Sequence, residues 1–331
     1  YVSYNYPNGT PIDYKFLKNP NIRECEALFH YSVNYCYQKK DNKIKFHIFR
    51  TSKNKSKENE KDDKTYFPPN DYLETFKKIR GKSLIKLVDY SFENKWIHFE
   101  YIPGTTLYDS IKYNRTFNIG DNFKIILGIA ITIQNLHAIN ISNLDLRPEN
   151  IIITTENMPV LADVDMIKQS FDNLEKYDDE HLPYLDPFYF TTEDPNKSKQ
   201  ADIYSFGLLL NLFIRKKINF LTKEKLKKIR VSLKNFPKEK NNLEKCLNDH
   251  LKIILNFEDD VTDKIEKYLL SLSSYCLMRK ITSSEDLVYR LKCIRDNSHL
   301  SNNFTDLEKK LKFEDCSEIE KYDFYRSDLS L

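Results

Sequence analysis

The chain has 331 residues, 40% hydrophobic and 13% aromatic, which is enough apolar material to bury a sizeable core. Its 52 basic and 49 acidic residues leave a formal charge of only +3, so charge selects neither nucleic acid nor an anionic membrane. No run of 18 apolar residues is present, which excludes a membrane-spanning helix in this sequence.

The six cysteines, at 25, 36, 246, 276, 293 and 316, form no CxxC pair. They read as reduced thiols, and the expected location is cytoplasmic or otherwise intracellular.

Residues 1–24 form an aromatic, polar lead-in without a clear period. Strand character runs from Cys25 to Phe49, where Ile44, Phe46 and Ile48 alternate with Lys45, His47 and Phe49. The charged run 51–64 reads as a solvated loop, and a short helix is predicted over 71–79. Two strands follow, "SLIKLVDY" and "KWIHFEY", ended by Pro103 and Gly104.

Past Gly104 the pattern turns helical. Ile126, Ile129, Ala130, Ile133 and His137 share one face of a helix between Asp121 and Ile139. Short strands at 151–154 and 160–162 flank a turn at Glu156-Asn157. A buried helix covers 201–214, lysine-rich amphipathic helices fill 222–295, and the tail from 300 is polar. The expected architecture is α+β and bilobal, with a small β-rich lobe over 25–102, a larger mainly helical lobe over 103–299, and a tail over 300–331.

The densest chemistry lies just past the lobe junction, in "NLDLRPEN" (143–150) and "ADVD" (162–165). Asp145 precedes Asn150 by five positions and Asp163 by eighteen. Carboxylates and an amide oxygen are hard ligands suited to Mg²⁺. The same residues in a tight loop can also brace backbone amides, and both readings stay open at this point.

These segments resemble the protein kinase superfamily, in the style of tyrosine-kinase-like serine/threonine kinases. "NLDLRPEN" is similar to the catalytic loop H-R-D-L-x-x-x-N and "ADVD" to the region of D-F-G. "HFEYIPGTTL" resembles the hinge between lobes, "IQNLHAINISNLDL" the helix entering the catalytic loop, and "PYLDPFYF" the end of the activation segment. "ADIYSFGLLL" resembles the helix whose Asp, here Asp202, braces that loop. The resemblance covers about 25–295.

It implies ATP and Mg²⁺ as cofactors and a protein substrate or protein partner, with no nucleic acid. Asp145 would accept the acceptor's hydroxyl proton, and Arg147 would stand near the γ-phosphate. Asn150 and Asp163 would hold the metal. Phe99 would be the gatekeeper, and Lys45, Glu100, Ile102, Leu107 and Ile152 would complete the nucleotide site. His98 and His137 are expected to be strand and core histidines, not ligands.

Departures from the pattern are many. The family's phosphate cradle is glycine-rich because only glycine lets backbone amides approach so closely. No glycine occurs between Gly9 and Gly81, and "LFHYSVNYCYQKK" stands where the cradle is expected. The strand lysine falls on Lys45 in one register, while another puts Phe49 there. The helix glutamate position falls on Tyr72, with Glu74 two residues away. Asn143-Leu144 replaces His-Arg, Asp165 replaces the glycine of D-F-G, and Phe188 replaces the glutamate expected to pair with Arg279.

Each lost preorganised contact costs roughly 10²–10³ in rate. The resemblance therefore implies a pseudokinase: a regulatory or protein-interaction module with residual Mg–nucleotide binding. The alternative is an active atypical serine/threonine kinase with a lysine relocated among 39, 40, 43 and 45.

Overall fold

The computed structural model describes backbone and side chains over 70–79, 81–93, 97–142, 144–162, 196–216 and 263–297. For 4–5, 11–12, 15–16, 31–40, 43–52 and 96 it describes the backbone, and isolated positions between 184 and 245 are also described.

β1 (Tyr4–Asn5) and β2 (Pro11–Ile12) form a two-stranded ladder. The main sheet is antiparallel and built from β3 (Lys15–Phe16), β4 (Tyr31–Lys40), β5 (Lys43–Ser52), β6 (Leu87–Ser91) and β7 (Trp96–Glu100), in the order β3-β4-β5-β7-β6. α1 (Asn70–Lys78) packs beside β6 and buries Leu73 and Phe76. Within the strand run expected from Cys25 to Phe49, the described residues 31–40 and 43–49 belong to two long strands whose register holds from Tyr31↔Ser52 to Lys40↔Lys43.

Beyond the hinge, β8 (Gly104–Thr106) opens a second sheet with β9 (Ile151–Thr154) and β10 (Pro159–Leu161), in the order β10-β9-β8. Gly104 is therefore more than a breaker: a Cβ there would meet Ile152 Cγ2 at 2.7 Å, so only glycine lets β8 lie against β9. Thr106 caps α2 (Leu107–Lys112) by accepting from the Asp109 amide, and Asn118 caps α3 (Ile119–Ala138) the same way through Asp121.

The predicted stripe of α3 is buried as expected, including Ile126, Ile129, Ala130, Ile133 and His137. α4 (Lys197–Arg215), α5 (Lys264–Leu277) and α6 (Ser284–Asn297) are the other helices of the core among the described residues.

α4 and α5 meet at Gly207. An added Cβ would lie 2.7 Å from Cys276 Cβ, and Ser273 Oγ donates to the Gly207 carbonyl at 2.7 Å. The two lobes are stitched by backbone: Leu161 N–H donates to Ser83 O at 3.0 Å, and Ile85 N–H donates to Leu161 O at 2.9 Å. No helix of the described residues is long and apolar enough to cross a membrane.

Candidate active site

The loop over 144–150 is anchored by Leu144 and Leu146, which are 1% and 3% exposed. Between these two plugs, Asp145 takes a positive φ of 45°, a conformation an aspartate tolerates better than a bulky or β-branched residue. That kink leaves its carboxylate partly exposed while its neighbours stay buried.

Two polar devices hold the loop. Asp202 of α4 accepts the Leu144 amide at 2.8 Å through Oδ1, as expected for the bracing aspartate. Its Oδ2 is 2.9 Å from His137 Nε2, and His137 Nδ1 is 3.2 Å from Ser284 Oγ. One buried network thus ties α3, α4 and α6 to the loop, and His137 is a core histidine with a structural partner. His98 is a fully buried strand residue.

The second device is a one-turn 3-10 segment, Pro148–Asn150. Asn150 Nδ2 donates to the Asp145 carbonyl and to Asp145 Oδ2, each at 2.9 Å. Both amide hydrogens are then committed, so Oδ1 is the atom left to face a hard cation. Arg147 Nε lies 3.4 Å from Asp145 Oδ2, and the arginine is 9% exposed. Ala162 N–H donates to Asn150 O at 2.9 Å, which brings the chain one residue short of Asp163 against the loop. Asp163 itself, Asn143 and Asp165 lie outside the described residues.

Around the hinge, Phe99 is 1% exposed, Glu100 is exposed, and Ile102 and Ile152 are half-buried. Leu107 departs from expectation. It is 1% exposed and lines an interior space with Ile125, Ile129 and Phe206, so it belongs to the core of the helical lobe and not to a cleft wall. The reason is its place at the start of α2, where the chain has already turned inward from β8.

The upper jaw differs more. Residues 31–40 of the expected cradle segment are uninterrupted strand, paired to β5 along their whole length. Bulky aromatics belong there because the segment is sheet. In α1, Tyr72 is half-buried and stacks on Phe76 with ring centroids 6.3 Å apart.

Glu74 is exposed and accepts a close hydrogen bond from the Tyr90 hydroxyl. Burial and the Glu74 carboxylate push the Tyr90 phenol up to about 12. The Glu74 carboxylate of α1 is thus engaged by β6.

The register of β5 sorts its cations into two rows. Ile48 stands opposite Phe99 and Arg50 opposite Ile97. Directly opposed residues of an antiparallel pair share a face, and alternation adds every second residue to it. Arg50 is therefore in the row of Phe99, whereas Lys45, opposite Gln38, is in the other row with His47 and Phe49. The sequence offered "HIFR" without a signal favouring it, because the arginine does not match the lysine of the pattern.

Arg279 also keeps a mate, contrary to expectation. It forms a close ion pair with Asp186 and donates to Gln200 Oε1 at 2.9 Å. Asp186 sits two residues before Phe188, and its side chain is fully buried. One position of the motif has substituted for another.

A protein kinase domain model matches residues 31–286. Among curated proteins, the chain is 31% identical over 147 residues to cysteine-rich receptor-like protein kinase 6 of Oryza sativa subsp. japonica, covering 40% of this chain and 21% of that protein. It is 29% identical over 128 residues to Aurora kinase of Debaryomyces hansenii, covering 38% and 31%. It is 27% identical over 145 residues to serine/threonine-protein kinase ULK3 of Rattus norvegicus, covering 42% and 30%.

These matches span between a fifth and a third of those proteins. The fold is similar to that of Rad53 1-466, solved in complex with AMP-PNP, with a TM-score of 0.54 at 15% identity over 83% of this chain and 64% of that one.

Proposed function

Because the chain belongs to the protein kinase domain family, we propose that it works as a pseudokinase: a regulatory, protein-binding module that retains Mg–nucleotide binding and has lost efficient phosphoryl transfer. The observation that carries this reading is the contrast between the jaws. Below, Asp145 and Asn150 keep a hydrogen-bonded arrangement suited to a metal. Above, Tyr72 holds the place of the helix glutamate, and Glu74 is engaged by Tyr90.

The donor set fits Mg²⁺. Asn150 Oδ1 and the Asp163 carboxylate would hold it, and bound Mg²⁺ would neutralise phosphate charge. Phe99, Glu100, Ile102 and Ile152 would frame the base, and Arg147 would orient the Asp145 carboxylate. An ATP-binding role fits the expected cytoplasmic or other intracellular location.

Calorimetric titration with MgADP, with and without EDTA, tests the binding half. Asn150→Ala should remove the Mg-dependent part of the affinity. Robust phosphorylation of a protein substrate that disappears in Asp145→Asn would overturn the pseudokinase reading.

A second reading is an active, atypical serine/threonine kinase with Asp145 as base and a relocated cation. The β5 register favours Arg50 for that cation over Lys40, Lys43 or Lys45, which fall in the other row, whereas Lys39, opposite Ile44, shares the Arg50 row at the far end of the ladder. A guanidinium binds phosphate oxygens in a fork, where lysine acts as a point charge. Arg50→Ala should weaken MgADP binding about tenfold or more, while Lys45→Ala leaves it unchanged. The opposite result would remove Arg50 from the site.

A further inference from the structure

A groove of about 550 Å³ lies between the α1–β6 connection, one face of α3, the β9–β10 turn and the end of α6. It shares no residue with the candidate active site. Its floor is a close contact of α3 on β10: a Cβ on Gly128 would lie 2.6 Å from Pro159 Cγ. Ile119 and Ile131 line it and remain 43% and 37% exposed. Its charged lining is Lys82, Lys124 and Arg295, with no aspartate or glutamate among the described residues.

Lys124 Nζ donates to the Glu156 carbonyl, and Arg295 already holds Asp296 at 2.7 Å. An apolar floor with a cationic rim selects an occupant that is both apolar and acidic.

We propose that this occupant is residues 313–325 of the same chain, "FEDCSEIEKYDFY". The segment lies outside the described residues. It carries five acids against one lysine, a net of −4, interleaved with Phe313, Ile319, Tyr322, Phe324 and Tyr325. Its tether begins at the groove, because Arg295 is in the last turn of α6, which ends at Asn297. The intervening residues 298–312 reach about 50 Å when extended, so length does not prevent docking. Tethering also supplies an effective concentration on the order of millimolar.

Docking there would act on the site. Ser83, in the groove wall, is bonded to Leu161, and Ala162 is bonded to Asn150. Filling the groove would stiffen the strand that leads to Asp163.

The test uses the full chain without nucleotide, so its outcome is separate from the nucleotide reading. Ile131→Cys places a thiol at the groove edge, and Cys316 supplies one in the segment. A bismaleimide should join them within one molecule, as mapped by mass spectrometry. Lys82→Glu with Lys124→Glu should cut the yield about fivefold, and adding Glu314→Lys with Glu318→Lys should restore it. A yield indifferent to both charge changes, or a crosslink formed only between two copies, would overturn the proposal.

Discussion

Asp145 and Asn150 show how a short loop can be both strained and held. The positive φ of Asp145 is maintained by two hydrogen bonds from one amide and by two buried leucines. Arg279 and Asp186 are a second residue-scale case, because a partner supplied two positions early preserves the buried pair. Asp186→Ala would remove the ion pair and leave the Arg279–Gln200 hydrogen bond at 2.9 Å in place. Breaking such a pair costs about 3 kcal/mol or more, and replacing both partners with apolar residues costs less. Denaturant unfolding of Asp186→Ala should show that loss, and Asp186→Leu/Arg279→Met should recover part of it.

At the level of elements, α1 is moored to the sheet through Tyr90 and the Lys77–Asp89 pair at 2.9 Å. The raised phenol has a pH signature. Tyr90 stays protonated in the folded chain after an unfolded tyrosine, with its ordinary value of 10.0, has begun to ionise. Its contribution is therefore complete below pH 10 and declines as pH rises toward 12. Tyr90→Phe should flatten that part of the stability–pH curve, measured by urea midpoints.

The α4–α5 contact makes a separate prediction. Gly207→Ala forces a methyl to 2.7 Å from Cys276 Cβ and should destabilise by about 1–3 kcal/mol, visible as a lower Tm.

Across the whole molecule, a nucleotide held between the lobes would bind the folded chain and not the unfolded one. MgADP at a hundredfold excess over its Kd should add about 2.7 kcal/mol of stability, and Asn150→Ala should reduce that gain. A thermal shift that is the same in the variant would place the ligand away from Asn150.

The sequence by itself determined the bilobal order, the α3 stripe, the Asp145–Asn150 spacing and the absence of a glycine cradle. These are local facts: periodicity, counting and residue type. It could not decide which lysine or arginine of β5 stands in the row of Phe99, because row membership is set by pairing with β7, a strand more than forty residues away. It could not seat Leu107 in the helical core or give Arg279 its aspartate, since both depend on contacts between distant segments. The tertiary structure settled those questions because burial and register belong to pairs of elements, and a single stretch of chain carries only half of each.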